Sequence, residues 1–197
     1  MYARDVPEIK AYAEENADNF RDLLTFVLLS IRQPFRSLPT ALRDVRRAGR
    51  DSVYLWGWKQ EGYDYCREHS AELWAGCRMA TTSGVIDLLA SEVPGFGIVK
   101  SAFVAQMLGH NVACFDARNL IDLEWQGRPF REFKRKNGVC VVKPETRKRR
   151  IAEYVQMTQE TGGAAHWWDH WCNGIAPSLG TTGDEISRRH YRLIANV

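Results

Sequence analysis

Between two stretches of helical periodicity stands Val93-Pro94-Gly95-Phe96-Gly97, and nothing else in the chain limits its fold as tightly. Pro94 fixes one backbone angle, while Gly95 and Gly97 open conformations closed to other residues, so the chain turns sharply here. Ahead of the turn, Ser83 or Thr82 can cap a short helix through Leu89. Behind it, Phe103, Val104, Met107 and Leu108 recur at helical spacing, and Gly109 with Asn111 supplies the stop. The unit over residues 82–109 is helix, hairpin, helix, and Asp116 just beyond opens another helix from Ala117 to Leu123.

The remaining chain reads as helical too. Asp5 and Pro7 look like a cap and a first-turn proline for one long amphipathic helix carrying Ile9, Phe20, Leu23, Leu24, Val27, Leu28 and Ile31, ended by Pro34. A short basic helix over 38–48 and a helix from Tyr63 to Met79 follow. The aromatics Trp56, Trp58, Tyr63 and Tyr65 can fill a core or stack on bases, and such density favours the core. Gly127-Arg128-Pro129 and Asn137-Gly138 are turn signals around a basic excursion, with Val139 to Lys143 as a short extended run. REFKRK is a poor first arm for a hairpin, so the excursion is expected to be irregular. Pro144 starts a helix that lasts to Gly162-Gly163. His166 to Ala176 forms a Trp-rich helix before Pro177, and a last helix carries Ile186, Tyr191 and Ile194. The expected class is all-α or nearly so.

With 197 residues, 45% hydrophobic and 26% charged, the chain can bury a substantial core as a single domain over 1–197. No apolar run approaches the roughly 20 residues of a membrane span, and the N-terminus is acidic, unlike a signal or transit peptide. A soluble, cytoplasmic protein with no membrane partner is expected. Five scattered cysteines without a CxxC pair indicate neither a disulfide framework nor a zinc site. Net charge is only +3, but Arg128 to Arg150 holds ten Lys or Arg residues, among them Lys134, Lys136, Lys143, Arg147, Lys148, Arg149 and Arg150. A smaller cluster runs through Arg32, Arg36, Arg43, Arg46, Arg47 and Arg50. Either run alone can be a solvated face; two together with a hairpin of this kind tilt the balance to nucleic acid.

The hairpin, its second helix and the separation of Pro94 from Asp116 resemble the helix-hairpin-helix DNA glycosylase superfamily. The resemblance covers about a fifth of the chain. It implies a two-lobed helical fold with a DNA-binding hairpin, in which Gly95, Phe96, Gly97, Val99, Lys100 and Ser101 meet the strand and the amides of Gly95, Gly97 and Val99 take a phosphate. It also implies a structural monovalent cation on the backbone carbonyls of Ser91, Val93 and Phe96. Asp116 becomes the catalytic acid facing the sugar of an extruded nucleotide. Arg118, Asn119, His166, Trp168, Asp169 and His170 are its candidate pocket, and a metal on His166 and His170 is the lesser reading because no third ligand is in view.

The departures are specific. Val99 occupies the place of the lyase Lys, with Lys100 one residue later, so strand nicking is not expected. Ala117-Arg118-Asn119 replaces the usual Thr-His. The cysteines of an iron-sulfur cluster are missing, and no cofactor is required. Two functions are implied: a DNA enzyme acting on a flipped base, or a non-catalytic DNA-binding or virion-associated protein. The enzyme would be a monofunctional glycosylase, or a transferase like the phage-encoded relatives that couple amino acids or amines to an activated base.

Overall fold

Helix α2 (Ala17–Ser30) is apolar almost all the way round, and its neighbours are arranged to cover it. Phe20, Leu23, Leu24, Phe26, Val27, Leu28 and Leu29 are all buried, as befits a helix enclosed by other helices. In the computed structural model, which describes residues 1–32, 37–47, 55, 57–127, 130, 132–178, 192, 194 and 195, α1 (Tyr2–Glu15), α3 (Leu38–Arg47), α4 (Trp58–Glu68), α5 (Ser70–Met79) and α7 (Ile98–Met107) pack around α2. α6 (Thr82–Glu92) joins α7 to α9 (Pro144–Glu160), and α10 (Gly163–His170) packs on α9 and returns to α1. The short α8 (Ala117–Asp122) follows α7, and a π-helical turn, Trp171–Ile175, leads from α10 into α11 (Ala176–Ser178). Among the described residues the protein is all-α apart from a two-stranded antiparallel ribbon, β1 (Arg135–Lys136) with β2 (Val139–Cys140). Among the described residues no helix is long and apolar enough to cross a membrane.

Local chemistry explains most boundaries, including three that differ from expectation. The long N-terminal helix is two helices. Asn16 adopts an extended backbone (φ −159°, ψ 170°) and its side chain accepts from the Asn19 amide at 2.9 Å, capping α2. Pro7 lies inside α1 rather than in its first turn. The stretch 63–79 is likewise divided, at His69, between α4 and α5. The excursion expected to be irregular contains a hairpin, because Asn137 and Gly138 both take positive φ, 49° and 77°. That pair suits the tight turn whose twist matches antiparallel strands, and over arms this short the turn outweighs weak strand propensity. The last helix falls outside the described residues except for Arg192, Ile194 and Ala195; Ile194 is fully buried and its carbonyl accepts from Arg46 at 2.6 Å.

The hairpin unit is formed as its sequence dictates. Thr81, one residue earlier than expected, caps α6 through the Gly84 amide. The Phe96 amide donates to the Val93 carbonyl at 3.1 Å, with Gly95 at φ 82° between them, a turn that Pro at its second position and Gly at its third favour. α7 ends at Gly109 (φ 85°), where the Gly109 amide donates to Gln106 and the His110 amide to Ala105, both at 3.0 Å. This paired closure satisfies the last carbonyls of the helix.

Candidate functional site

Asp116 sits where a short irregular segment, residues 112–115, runs into α8, and buried polar groups hold that segment in place. The Tyr154 hydroxyl, from α9, donates to the Ala113 carbonyl at 2.6 Å and accepts from the Phe115 amide at 2.8 Å. Gln106, from α7, accepts from the Cys114 amide at 3.2 Å and donates to the Ala164 carbonyl of α10 at 2.8 Å. Asn119 donates to the Cys114 carbonyl at 2.7 Å. Tyr154, Gln106 and Asn119 are all nearly or fully buried; burial keeps the Tyr154 phenol protonated by raising it well above its ordinary range. Neither Tyr154 nor Gln106 stands out in the sequence, since each occupies an ordinary helical position.

The Asp116 carboxylate uses Oδ1 to accept the amides of Arg118 and Asn119, at 3.0 and 3.1 Å, and so caps α8 as its position suggested. Among the described residues Oδ2 has no hydrogen-bond donor. Burial pushes the Cys114 thiol up to about 11; the Lys100 charge opposes the rise, while Asp116 adds to it through its charge and opposes it through its backbone amide. A half-exposed carboxylate with one fixed and one free oxygen is therefore available at the surface.

The residues expected to form its pocket do not assemble around it. Arg118 is exposed and Asn119 is buried beneath the segment. His170 Nε2 lies 3.0 Å from Asp122 Oδ2, six residues along the helix from Asp116, which is about 9 Å and some 240° around the axis. Trp168 is core: its ring meets Tyr2 and Phe103, and its Nε1 donates to Asp5 at 3.4 Å. Asp169 accepts from the Tyr2 amide at 2.9 Å and pairs with the terminal ammonium at 3.2 Å, tying the N-terminus to α10. His166 is exposed and stacked on His170, and among the described residues no cluster of His, Cys, Asp or Glu is placed to hold a metal. A cleft of ≈ 160 Å³ elsewhere is lined by Lys10, Glu14, Trp74, Arg78 and His110 among others, and Asp116 does not border it.

The turn itself is covered, which corrects its expected role as a phosphate grip. Gly95, Phe96 and Gly97 are buried. A Cβ on Gly95 would fall 2.5 Å from the Trp58 ring, and one on Gly97 would fall 3.0 Å from the Glu132 backbone. α4 closes the other approach: a Cβ on Gly62 would lie 2.5 Å from the Pro94 carbonyl. Ser101 is fully buried with an unpartnered hydroxyl, Val99 is half-buried, and Lys100 spreads over the Phe103 ring at 5.5 Å. Trp58 and Tyr63 are thus packing residues, as aromatic density suggested.

Of the three carbonyls expected to bind a monovalent cation, that of Val93 meets a guanidinium. Arg135 donates to the carbonyls of Ala90, Glu92 and Val93 at 3.2, 3.3 and 3.0 Å, and to Gly138 in its own hairpin at 2.7 Å. The Val93 carbonyl also accepts from Phe96, so its lone pairs are engaged. Ser91 is buried, its hydroxyl on the Leu88 carbonyl. A positive group at the negative end of α6 is electrostatically sound, and Arg135 places one there.

The basic segment divides into structural and free groups. Arg147 clamps Asp87 of α6 through two bonds of 2.7 and 3.1 Å and donates to the Val142 carbonyl at 3.1 Å. That pairing accounts for a cation in the first turn of α9, where the helix dipole disfavours one, and it removes Arg147 from the phosphate-binding set. Arg150 lies over the Phe133 ring at 5.2 Å. Lys134, Lys136, Lys143, Lys148 and Arg149 are exposed, the last with a loose 3.9 Å pairing to Glu153. Arg128, Arg131, Arg36 and Arg50 are outside the described residues. Compared with protein-family models, curated proteins and solved structures, the chain matches none.

Proposed function

We propose that the protein binds DNA electrostatically through the face made by the β1–β2 ribbon and the first two turns of α9. The observation that carries this reading is the sorting of the basic segment. Arg135 and Arg147 are spent holding the ribbon and α9 onto α6, while Lys134, Lys136, Lys143, Lys148 and Arg149 project into solvent from the elements so held. Cations on a rigid scaffold lose little ordering entropy when they meet a phosphate chain. If all of these reach phosphates, log K should fall against log salt with a slope of about −4 to −5. Fluorescence anisotropy with a short duplex, titrated in KCl, tests this; a slope near zero sinks it.

A second reading, enzymatic, is favoured by the free oxygen of Asp116. Half-exposed and fixed by its cap, that carboxylate can stabilise positive charge developing on a sugar or orient a nucleophile. Incubation with modified DNA and mass spectrometry separates the products: a free base marks a glycosylase, an altered attached base a transferase. Asp116→Asn should abolish either while leaving the salt-dependent affinity in place. Absence of both products leaves the binding reading standing alone.

A further inference from the structure

The outer face of the ribbon carries groups that phosphate contact leaves unused. Arg135 pairs with Cys140 and Lys136 with Val139, and the Val141 amide donates to the Lys134 carbonyl at 2.9 Å, so the ladder continues for one more pair. Side chains alternate along such a ladder. Phe133, Arg135, Cys140 and Val142 are buried or half-buried, whereas Lys134, Lys136, Val139 and Val141 are exposed. Val139 is 66% and Val141 48% exposed. Two valines therefore stand beside two lysines on one side of a rigid ribbon, which Arg135 pins to the C-terminus of α6 through three carbonyls.

We infer that this ribbon enters the major groove of duplex DNA, where Val139 and Val141 meet the C5-methyl groups of thymine and Lys134 and Lys136 reach the flanking phosphates. The inference rests on the DNA-binding reading above and adds what is touched. Its dimensions suit the site: strands about 4.8 Å apart make a ribbon that a groove about 12 Å wide admits. The chemistry suits it as well, because the thymine methyl is the apolar mark in that groove and a β-branched side chain is an apolar surface of matching size. Single-stranded DNA would call for exposed aromatic platforms, which this face lacks. An anionic bilayer would call for Trp, Phe or Leu on the apolar side, and those are absent from it too.

The test uses the full chain and anisotropy measurements on an A·T-rich duplex, on the same duplex with deoxyuridine replacing thymidine, and on phosphatidylglycerol vesicles. The wild-type protein should prefer the thymine duplex by about threefold to tenfold. The double variant Val139→Ser, Val141→Ser should bind both duplexes alike, at an unchanged salt slope. Lys134→Gln with Lys136→Gln should keep the preference and reduce the slope by about two. All four positions are solvent-facing, and circular dichroism of each variant verifies that the fold is retained. Equal wild-type affinity for the two duplexes overturns the groove assignment while leaving phosphate binding intact; binding to neither overturns the reading beneath it. Vesicle binding lost on the valine changes, without any duplex preference, assigns the face to a membrane surface and overturns the inference as well.

Discussion

Tyr154 bears more on the candidate site than any residue the sequence singles out apart from Asp116. Its hydroxyl both donates and accepts within the segment that delivers Asp116, at a position with no access to water. Tyr154→Phe removes one atom and leaves a buried amide and a buried carbonyl unpaired, a loss of about 1–3 kcal/mol in urea unfolding. Stability unchanged within error would mean that the segment is held by other groups. His110 offers a second measurement at this scale. Burial, reinforced by Lys10, lowers it from its ordinary 6.5, so the folded protein resists a proton that the unfolded chain accepts. Its contribution is fully present above pH 6.5 and is lost as pH falls through that value and on through the lower folded one. The drop in unfolding free energy between about pH 7.5 and about pH 5 should be smaller in His110→Gln than in the parent. An equal drop would assign the pH dependence to carboxylates instead.

At the scale of elements, α9 is a helix whose basic first turn runs against its dipole, and the Arg147–Asp87 clamp resolves the conflict by fastening α9 to α6. Both side chains are mostly shielded, and the Asp87 hydrogen bonds raise the already high Arg147 value, so the guanidinium stays charged throughout the accessible pH range. Arg147→Gln should therefore cost stability, by about 1–3 kcal/mol, and should scarcely alter the salt slope of DNA binding. Lys148→Gln should do the reverse. A shift in salt slope of about one for Arg147→Gln would return that residue to the phosphate face. Asn137-Gly138 announces a hairpin plainly, yet RKNGVC has no apolar alternation on its first arm, because the inward position is filled by Arg135. A guanidinium that spends its donors on three carbonyls of another element serves as a core residue there, and no periodicity of hydrophobic residues reveals it.

Across the whole molecule, helices from distant parts of the chain converge on the turn at Pro94. α4 approaches through Gly62, the segment at Glu132 crosses Gly97, and Arg135 seals the end of α6. Gly62→Ala should lower the unfolding free energy by about 1–3 kcal/mol, since the methyl meets a backbone carbonyl that cannot swing aside. The loss should appear as a shift of a single unfolding transition, because α4, α6 and α7 share one core. A neutral effect would show that α4 has room to retreat.

Much of the architecture is local and could be read from the chain. Pro94 and Gly95 require the bend, Gly109 ends α7, Asp116 caps α8 and Pro144 begins α9, because each of these depends on the backbone angles and hydrogen bonds of a few adjacent residues. What lies over the bend depends on contacts between residues tens of positions apart. A glycine turn reads the same in sequence whether solvent, a phosphate or the Trp58 ring stands against it. Burial is set by packing and long-range pairing: the enclosed turn, the guanidinium on the α6 carbonyls, and the separation of His170, Trp168 and Asp169 from Asp116 were all settled in three dimensions.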